Sequence, residues 1–253
     1  MSDALGLALL ISGGGTTAEQ ILRACNPKTP GNHPLSGKIT PVLLIASRES
    51  DEGASGITKA LLEGLAGPNV VVLKPRSFPS PLDFGEAIIK ECEKRGVDLI
   101  GQYGWLPLTP PNVIERFQGR MINQHPGPLD PGYLDFGGKG MYGTAVHAAR
   151  LYFVRAVGKD KFPWTEVTAH RVTEQYDEGA VIGRSEVPIE PRDTPYELQS
   201  RCLPFEHRLQ IAVLESFVNG TVEELEREER LVLPGTEETI LKEAKRAATL
   251  LFR

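Results

Sequence analysis

Apolar residues in this chain fall into short unbroken runs separated by charged, helix-compatible stretches. Residues 5–11 (LGLALLI) make one such run of strand length, followed by a glycine turn and residues 16–25 of helical composition, which is the opening of a βα unit. Residues 39–46 (ITPVLLIA) predict a second buried strand, 56–65 a helix, and 69–73 a third strand. Residues 84–95 then predict a charged amphipathic helix and 97–101 (VDLIG) a fourth strand. Strands that are apolar throughout, rather than alternating, belong to parallel sheets covered on both faces. The pattern therefore predicts an α/β fold: a Rossmann-like, doubly wound, mostly parallel sheet with helices on both faces. Such sheets bind ligands beyond the carboxyl ends of their strands, here after Ile11, Ala46, Gly101 and the strand at 121–123.

Beyond Asn123 the pattern changes. Residues 125–143 (HPGPLDPGYLDFGGKGMYG) are too rich in Gly and Pro for a regular element and too long for an idle connection, so they predict a loop that covers a site. Residues 164–172 (WTEVTAHRV) alternate as a strand does, and 180–187 (AVIGRSEV) read as the antiparallel partner, with Asp177-Glu178-Gly179 at the turn. Residues 194–217 predict a long helix interrupted or bent at Pro204, and 221–253 are charged and mostly helical in character. The organisation expected is one main domain over 1–220 and a C-terminal helical extension over 221–253.

Composition narrows the function classes. A hydrophobic fraction of 40% with 24% charged residues describes a folded globular chain. A net charge of -5 with no dense basic run argues against nucleic acid as a partner. The apolar run at 5–11 lacks a charged leader and passes straight into Gly13, Gly14 and Gly15, so it reads as a strand and not as a signal peptide; no other stretch approaches membrane-span length. Cys25, Cys92 and Cys202 are far apart with no metal-ligand or disulfide spacing, and they read as buried structural thiols. The expectation is a cytoplasmic protein acting on small molecules, with no metal and no membrane contact.

Three segments could carry chemistry. In Ser12-Gly13-Gly14-Gly15-Thr16-Thr17, successive backbone N–H groups and a helix N-terminus can hold a phosphate, although a tight structural turn fits these residues equally well. In Ile122-Asn123-Gln124-His125-Pro126, the strand period of two places Asn123 and His125 on one face. An amide beside an imidazole can stabilise an oxyanion and move a proton near neutral pH; without a third partner, a strand cap and a turn contact are the simpler reading. Asp177 supplies that partner if the fold brings it to His125, where it would favour the imidazolium and raise the histidine pKa. Taken alone, Asp-Glu-Gly is an ordinary turn sequence.

In their order, SGGGTT, INQHPGPL and QYDEGAVIGRSEVPI resemble the phosphoribosylglycinamide formyltransferases within the wider formyltetrahydrofolate-using superfamily, over roughly residues 5–220. The resemblance implies that Asn123 polarises the formyl group, His125 manages protons and Asp177 is the aspartate of the family's D-x-G turn. It implies a phosphate loop over Gly13, Gly14, Gly15, Thr16 and Thr17, with Thr16-Thr17 replacing a Ser-Asn pair and so losing a side-chain amide. Trp105, Leu106, Pro107 and Leu108 match the folate-binding segment, with Leu106 and Leu108 flanking the pterin and their backbone groups reading its edge. Pro107 replaces an arginine there and has no N–H to donate. His147 and Glu206 match contacts to the amine substrate, Glu206 through the ribose hydroxyls; read alone, His147 is a core or capping residue and Glu206 a surface charge.

The chain departs from the family between His125 and Asp177, where a compact LLPxxxG segment becomes PLDPGYLDFGGKGMYG and a further insertion runs through 155–163. The implied reaction moves a formyl group from the co-substrate 10-formyltetrahydrofolate to the amine of glycinamide ribonucleotide, in de novo purine biosynthesis, without a metal, in a monomer or homodimer. The same machinery with water as acceptor gives a formyltetrahydrofolate hydrolase, and with an amino sugar an amino-sugar formyltransferase. Hydrolases of this type usually carry a domain ahead of the catalytic one, whereas this chain begins at the first strand. A non-catalytic folate- or nucleotide-binding module is the alternative from another class, and the joint presence of Asn123, His125 and Asp177 argues against it.

Overall fold

Strand β1 (Leu5–Ile11) is buried along almost its whole length, as an unbroken apolar run requires. With β2 (Ile39–Ala46), β3 (Val70–Val72), β4 (Leu99–Gln102) and β5 (Met121–His125) it forms a parallel sheet in the order β3-β2-β1-β4-β5. The antiparallel pair β6 (Trp164–Arg171) and β7 (Val181–Pro188) continues the order to seven strands. This is the mostly parallel sheet with a C-terminal antiparallel pair that the pattern of runs predicts. The computed structural model describes residues 4–158 and 163–252, so positions 159–162 of the expected 155–163 insertion lie outside the described residues.

The chain divides into two compact units, one of residues 1–123, 171–174 and 210–222 and the other of 124–170, 175–209 and 223–253. In the first, Ala8 and Leu10 of β1 join Leu43 and Ile45 of β2 in a core with α3 (Pro81–Glu93) and α4 (Pro111–Arg116). Leu7, Leu9 and Ile11 point to the opposite face and are just as buried, so both faces of this sheet are covered. Helices α1 (Thr16–Cys25) and α2 (Gly56–Leu62) complete this unit's βα repeats. In the second unit α5 (Thr144–Val157) packs with α7 (Thr236–Leu251) through Ala145, Ala149, Ala244 and Ala248, small residues at a spacing of four that let the two helices approach closely. Among the described residues no helix is long and apolar enough to cross a membrane.

Several boundaries differ from the expected ones for physical reasons. Helix α3 begins three residues earlier than 84, because Ser80 accepts the Asp83 N–H at 3.2 Å and Pro81 occupies the first helical position. Helix α4, absent from the sequence reading, is likewise started by a proline. The helix α6 (Pro195–Asn219) is neither interrupted nor ended at Pro204, which lies on an exposed face where water can reach the carbonyl that loses its partner. Its start is a capping box: Thr194 Oγ1 accepts the Glu197 N–H and Glu197 Oε2 accepts the Thr194 N–H, at 3.3 and 2.8 Å. In the C-terminal segment, expected to be mostly helical, residues 221–235 contain no helix.

The glycine turn after β1 is held from α2. Gly56 N–H donates to the Gly13 carbonyl at 3.1 Å, and Gly15 adopts φ 58°. A Cβ on Gly56 would stand 2.9 Å from Gly15 Cα and 2.7 Å from Ile11 Cδ1. Gly56→Ala is therefore expected to destabilise the chain by about 1–3 kcal/mol, measured as a lower urea midpoint at unchanged slope.

Candidate active site

Cross-strand register sets the level of the site. Leu10 of β1 lies opposite Gln102 of β4, and Gln102 opposite Asn123 of β5, so the segments that leave these strands emerge from one edge of the parallel sheet. The first of them is the turn Ser12 to Thr17. Gly15 caps α1 with no side chain to offer, and space is open beside the Cα atoms of Gly13 and Gly14, so the first N–H groups of α1 are available to an anion. Ser12 Oγ receives hydrogen bonds from the Ser47 hydroxyl at 2.7 Å and from the Leu106 N–H at 3.0 Å.

That second bond alters the expected folate segment. The Leu106 N–H is committed to Ser12, so a ligand there meets side chains and carbonyls and not this donor. Leu106 and Leu108 are exposed, 36% and 47%, whereas Trp105 is buried and stacks on Phe84 with ring centroids 6.2 Å apart. The structure thus places Trp105 in the core and leaves the two leucines open to a ligand.

His125 and Asp177, the residues expected to handle protons, sit in the second unit. His125, at the end of β5, is buried, and its Nε2 lies 3.1 Å from the Phe136 carbonyl. A carbonyl only accepts, so Nε2 carries hydrogen, and Nδ1 is the atom that gains or loses a proton. Nδ1 faces Asp177 Oδ2 at 3.5 Å. Asp177 has φ 60°, a left-handed conformation that Asp tolerates better than most residues, and this turns its carboxylate inward. Its Oδ2 accepts the Gly138 N–H at 2.8 Å, and its Oδ1 lies 3.4 Å from His170 Nε2. Burial opposes ionisation of Asp177, but His125, His170 and the Gly138 N–H outweigh it and hold the carboxyl at about 2.

His170 is the residue that sequence reasoning missed. Its signal was the alternation of β6, which puts Thr168 and His170 on one face; Thr168 hydroxyl donates to the Gly127 carbonyl in the turn after His125, at 2.8 Å. For His125 itself the expected rise in pKa does not hold. Burial pushes it below the usual imidazole value, and the pull of Asp177 does not reverse this. The carboxylate was legible in the sequence; the depth of burial was not.

The two residues matched to the amine substrate are also buried. Glu206 is 4% exposed and not the surface charge its residue type suggests, and it accepts the Gln124 amide at 2.5 Å. Burial pushes its carboxyl up to about 8, so it is protonated at neutral pH and can donate as well as accept. His147 lies inside α5's packing with Nδ1 3.9 Å from Cys202 Sγ, and burial brings its pKa down to about 3. Cys25, Cys92 and Cys202 are free thiols, all raised to about 12 by burial, which fits structural and not nucleophilic roles.

Comparison with known proteins gives the family. A sequence profile described as formyl transferase matches residues 6–214. The chloroplastic phosphoribosylglycinamide formyltransferase of Arabidopsis thaliana is 32% identical over 82% of this chain and 63% of its own length. That of Vigna unguiculata is 30% identical over 83% of this chain and 60% of its own length, so the chain spans under two thirds of these plant relatives. The phosphoribosylglycinamide formyltransferase of Haemophilus influenzae is 30% identical over 85% of this chain and 87% of its own length. Among solved structures, glycinamide ribonucleotide transformylase 1 from Symbiobacterium toebii superposes with a TM-score of 0.68 at 26% identity, covering 87% of this chain and 90% of that one. A match over most of the chain, with the sheet order and the histidine and aspartate geometry already described, means that the chain belongs to the formyl transferase family, alongside its phosphoribosylglycinamide formyltransferases.

Proposed function

We propose that the chain transfers a formyl group from 10-formyltetrahydrofolate to the amine of glycinamide ribonucleotide, a step of purine biosynthesis, with Asn123, His125 and Asp177 carrying the chemistry. The observation that bears most weight is the buried His125 Nδ1 facing an ionised Asp177 at 3.5 Å, with Asn123 two positions earlier on the same strand. The amine nitrogen attacks the formyl carbon, and the resulting oxyanion is held by the Asn123 amide and the His125 imidazolium. The C–N bond to the folate then breaks. The proton lost by the attacking nitrogen ends on the departing folate nitrogen, relayed through solvent beside Asp177. At rest His125 is biased towards neutrality by burial, so as the oxyanion forms it takes up the proton that the attacking nitrogen loses and then gives it up towards the departing folate nitrogen.

The remaining assignments follow the surfaces available to each ligand. The N–H groups from Gly13 to Thr17 receive the phosphate, Leu106 and Leu108 line the folate, and the protonated Glu206 meets the ribose hydroxyls. The names of the relatives favour the ribonucleotide over water or an amino sugar as acceptor. Residues 1–220 make the formyltransferase portion in this reading, with 221–253 as an extension to it.

An absorbance assay of tetrahydrofolate formation tests the reaction directly: turnover should require glycinamide ribonucleotide, turnover without it indicates a hydrolase, and none in either condition indicates a binding module. His125→Ala should lower kcat on the order of 10²–10⁴-fold while folate affinity stays within about threefold, since its role lies in the transition state. Loss of folate binding together with folding would overturn the catalytic assignment.

Asp177 also gives a pH signature. Its carboxyl is more acidic folded, at about 2, than at its ordinary value of 3.8, so it contributes stability that is complete above that value and lost as pH falls towards 2. The contribution at neutral pH is about 2 kcal/mol. Asp177→Asn, which suits the left-handed backbone, should thus be less stable than wild type at pH 6 in denaturant titrations, with the gap narrowing below about pH 4.

A further inference from the structure

Helix α7 lies beyond residue 214, where the family profile ends, yet it reaches the site loop. Lys245 Nζ donates to the carbonyls of Asp135 at 2.9 Å and Gly137 at 2.5 Å. The peptide groups interleaved with these two are the ones that hold the reacting pair: the Phe136 carbonyl accepts from His125, and the Gly138 N–H donates to Asp177. From the other side the Asp135 carboxylate accepts the N–H groups of Gly137 at 2.8 Å and Asp130 at 2.7 Å. The run Gly137-Gly138 is what lets this strand of loop come so near, because a Cβ on Gly137 would stand 2.7 Å from Asp177 Cβ and Gly138 adopts φ 93°. Taking an ammonium out of water onto two neutral carbonyls is unfavourable in itself, and burial lowers the Lys245 pKa against the opposing pull of Asp135, Asp177 and Glu178.

We propose that Lys245 is a positioning residue for formyl transfer: it clamps the peptide run 135–138 so that the Phe136 carbonyl and the Gly138 N–H fix His125 and Asp177 in register. This rests on the assignment of His125 and Asp177 as the reacting pair. The charged or titratable groups that face His125 are Asp177, His170 of β6, Asp135 of the loop and His147 of α5, with Lys245 of α7 acting on Asp135 and Asp177. Removing the lysine frees the peptide run that carries the Phe136 carbonyl and the Gly138 N–H, and so weakens the two contacts, Asp177 and the Phe136 carbonyl, that hold the His125 pKa up against burial.

The test uses the full chain as wild type, Lys245→Met and Lys245→Arg, with the His125 ring signal assigned by its absence in His125→Ala. In Lys245→Met, NMR titration should place His125 lower by about half a pH unit or more. Its kcat should fall about tenfold while both KM values stay within about twofold. Lys245→Arg, which keeps the charge and the donors, should retain the wild-type titration and most of kcat. A folded Lys245→Met with wild-type titration and kcat overturns the proposal. So does a variant whose only change is a lower melting temperature. Should Lys245→Met not fold, Lys245→Gln takes its place with the same readouts. If the wild type transfers no formyl group, the proposed reaction fails, while the titration still decides whether Lys245 sets the state of His125.

Discussion

A buried carboxylate that must stay ionised is the constraint from which the rest of this site follows. Asp177 can remain charged away from water only if hydrogen-bond donors and groups able to carry positive charge surround it. The chain supplies the Gly138 N–H and the imidazoles of His125 and His170. Each has a structural requirement of its own. Gly138 needs a glycine because of its positive φ, Gly137 because Asp177 occupies the space of a side chain, and Asp177 itself takes a left-handed conformation. The segment between His125 and Asp177 is therefore not slack chain: its FGGKG run builds the acceptor for His125 and the donor for Asp177.

The loop is held from several directions because no secondary structure holds it. Asp130 Oδ2 accepts the Leu231 N–H at 3.0 Å, and the Arg227 guanidinium donates to the Leu129 carbonyl at 2.9 Å while pairing with Glu166. Arg150, fully buried, lies over the Phe136 ring at 4.9 Å and donates to the Trp164 carbonyl. Backbone groups that a helix or strand would satisfy internally are here satisfied by side chains from 223–235, from α7 and from the loop's own Asp135. That accounts for what the C-terminal segment does in this unit, a purpose its charged composition alone did not disclose.

How much was legible depended on the range over which the cause acts. Unbroken apolar runs gave the strands, and the period of two gave the shared face of Asn123 and His125, because both are local. The early start of α3 was present in Ser80-Pro81-Leu82-Asp83 and was missed only because the apolar pattern begins later. Asp177 was found through the order of motifs, whereas nothing local connects His170, Gln124 or Lys245 with their partners. Burial was the least legible quantity of all. It turned Glu206 from an apparent surface charge into a protonated acid and reversed the expected direction for His125.

That reversal bears on how the site works. A histidine held as an imidazolium at rest would already have its charge balanced by Asp177, leaving little to gain when an oxyanion forms. With Nε2–H fixed on the Phe136 carbonyl, the proton can change only at Nδ1, where desolvation disfavours it and Asp177 favours it. Opposed terms of this kind leave the ring sensitive to one more negative charge, and in the proposed reaction the formyl oxygen acquires such a charge only as the transition state is approached. In the proposed transfer, stabilisation is then largest where it would accelerate the reaction and smallest in the ground state. Burial, which lowers the histidine pKa, and the carboxylate, which resists that lowering, are both needed for this result.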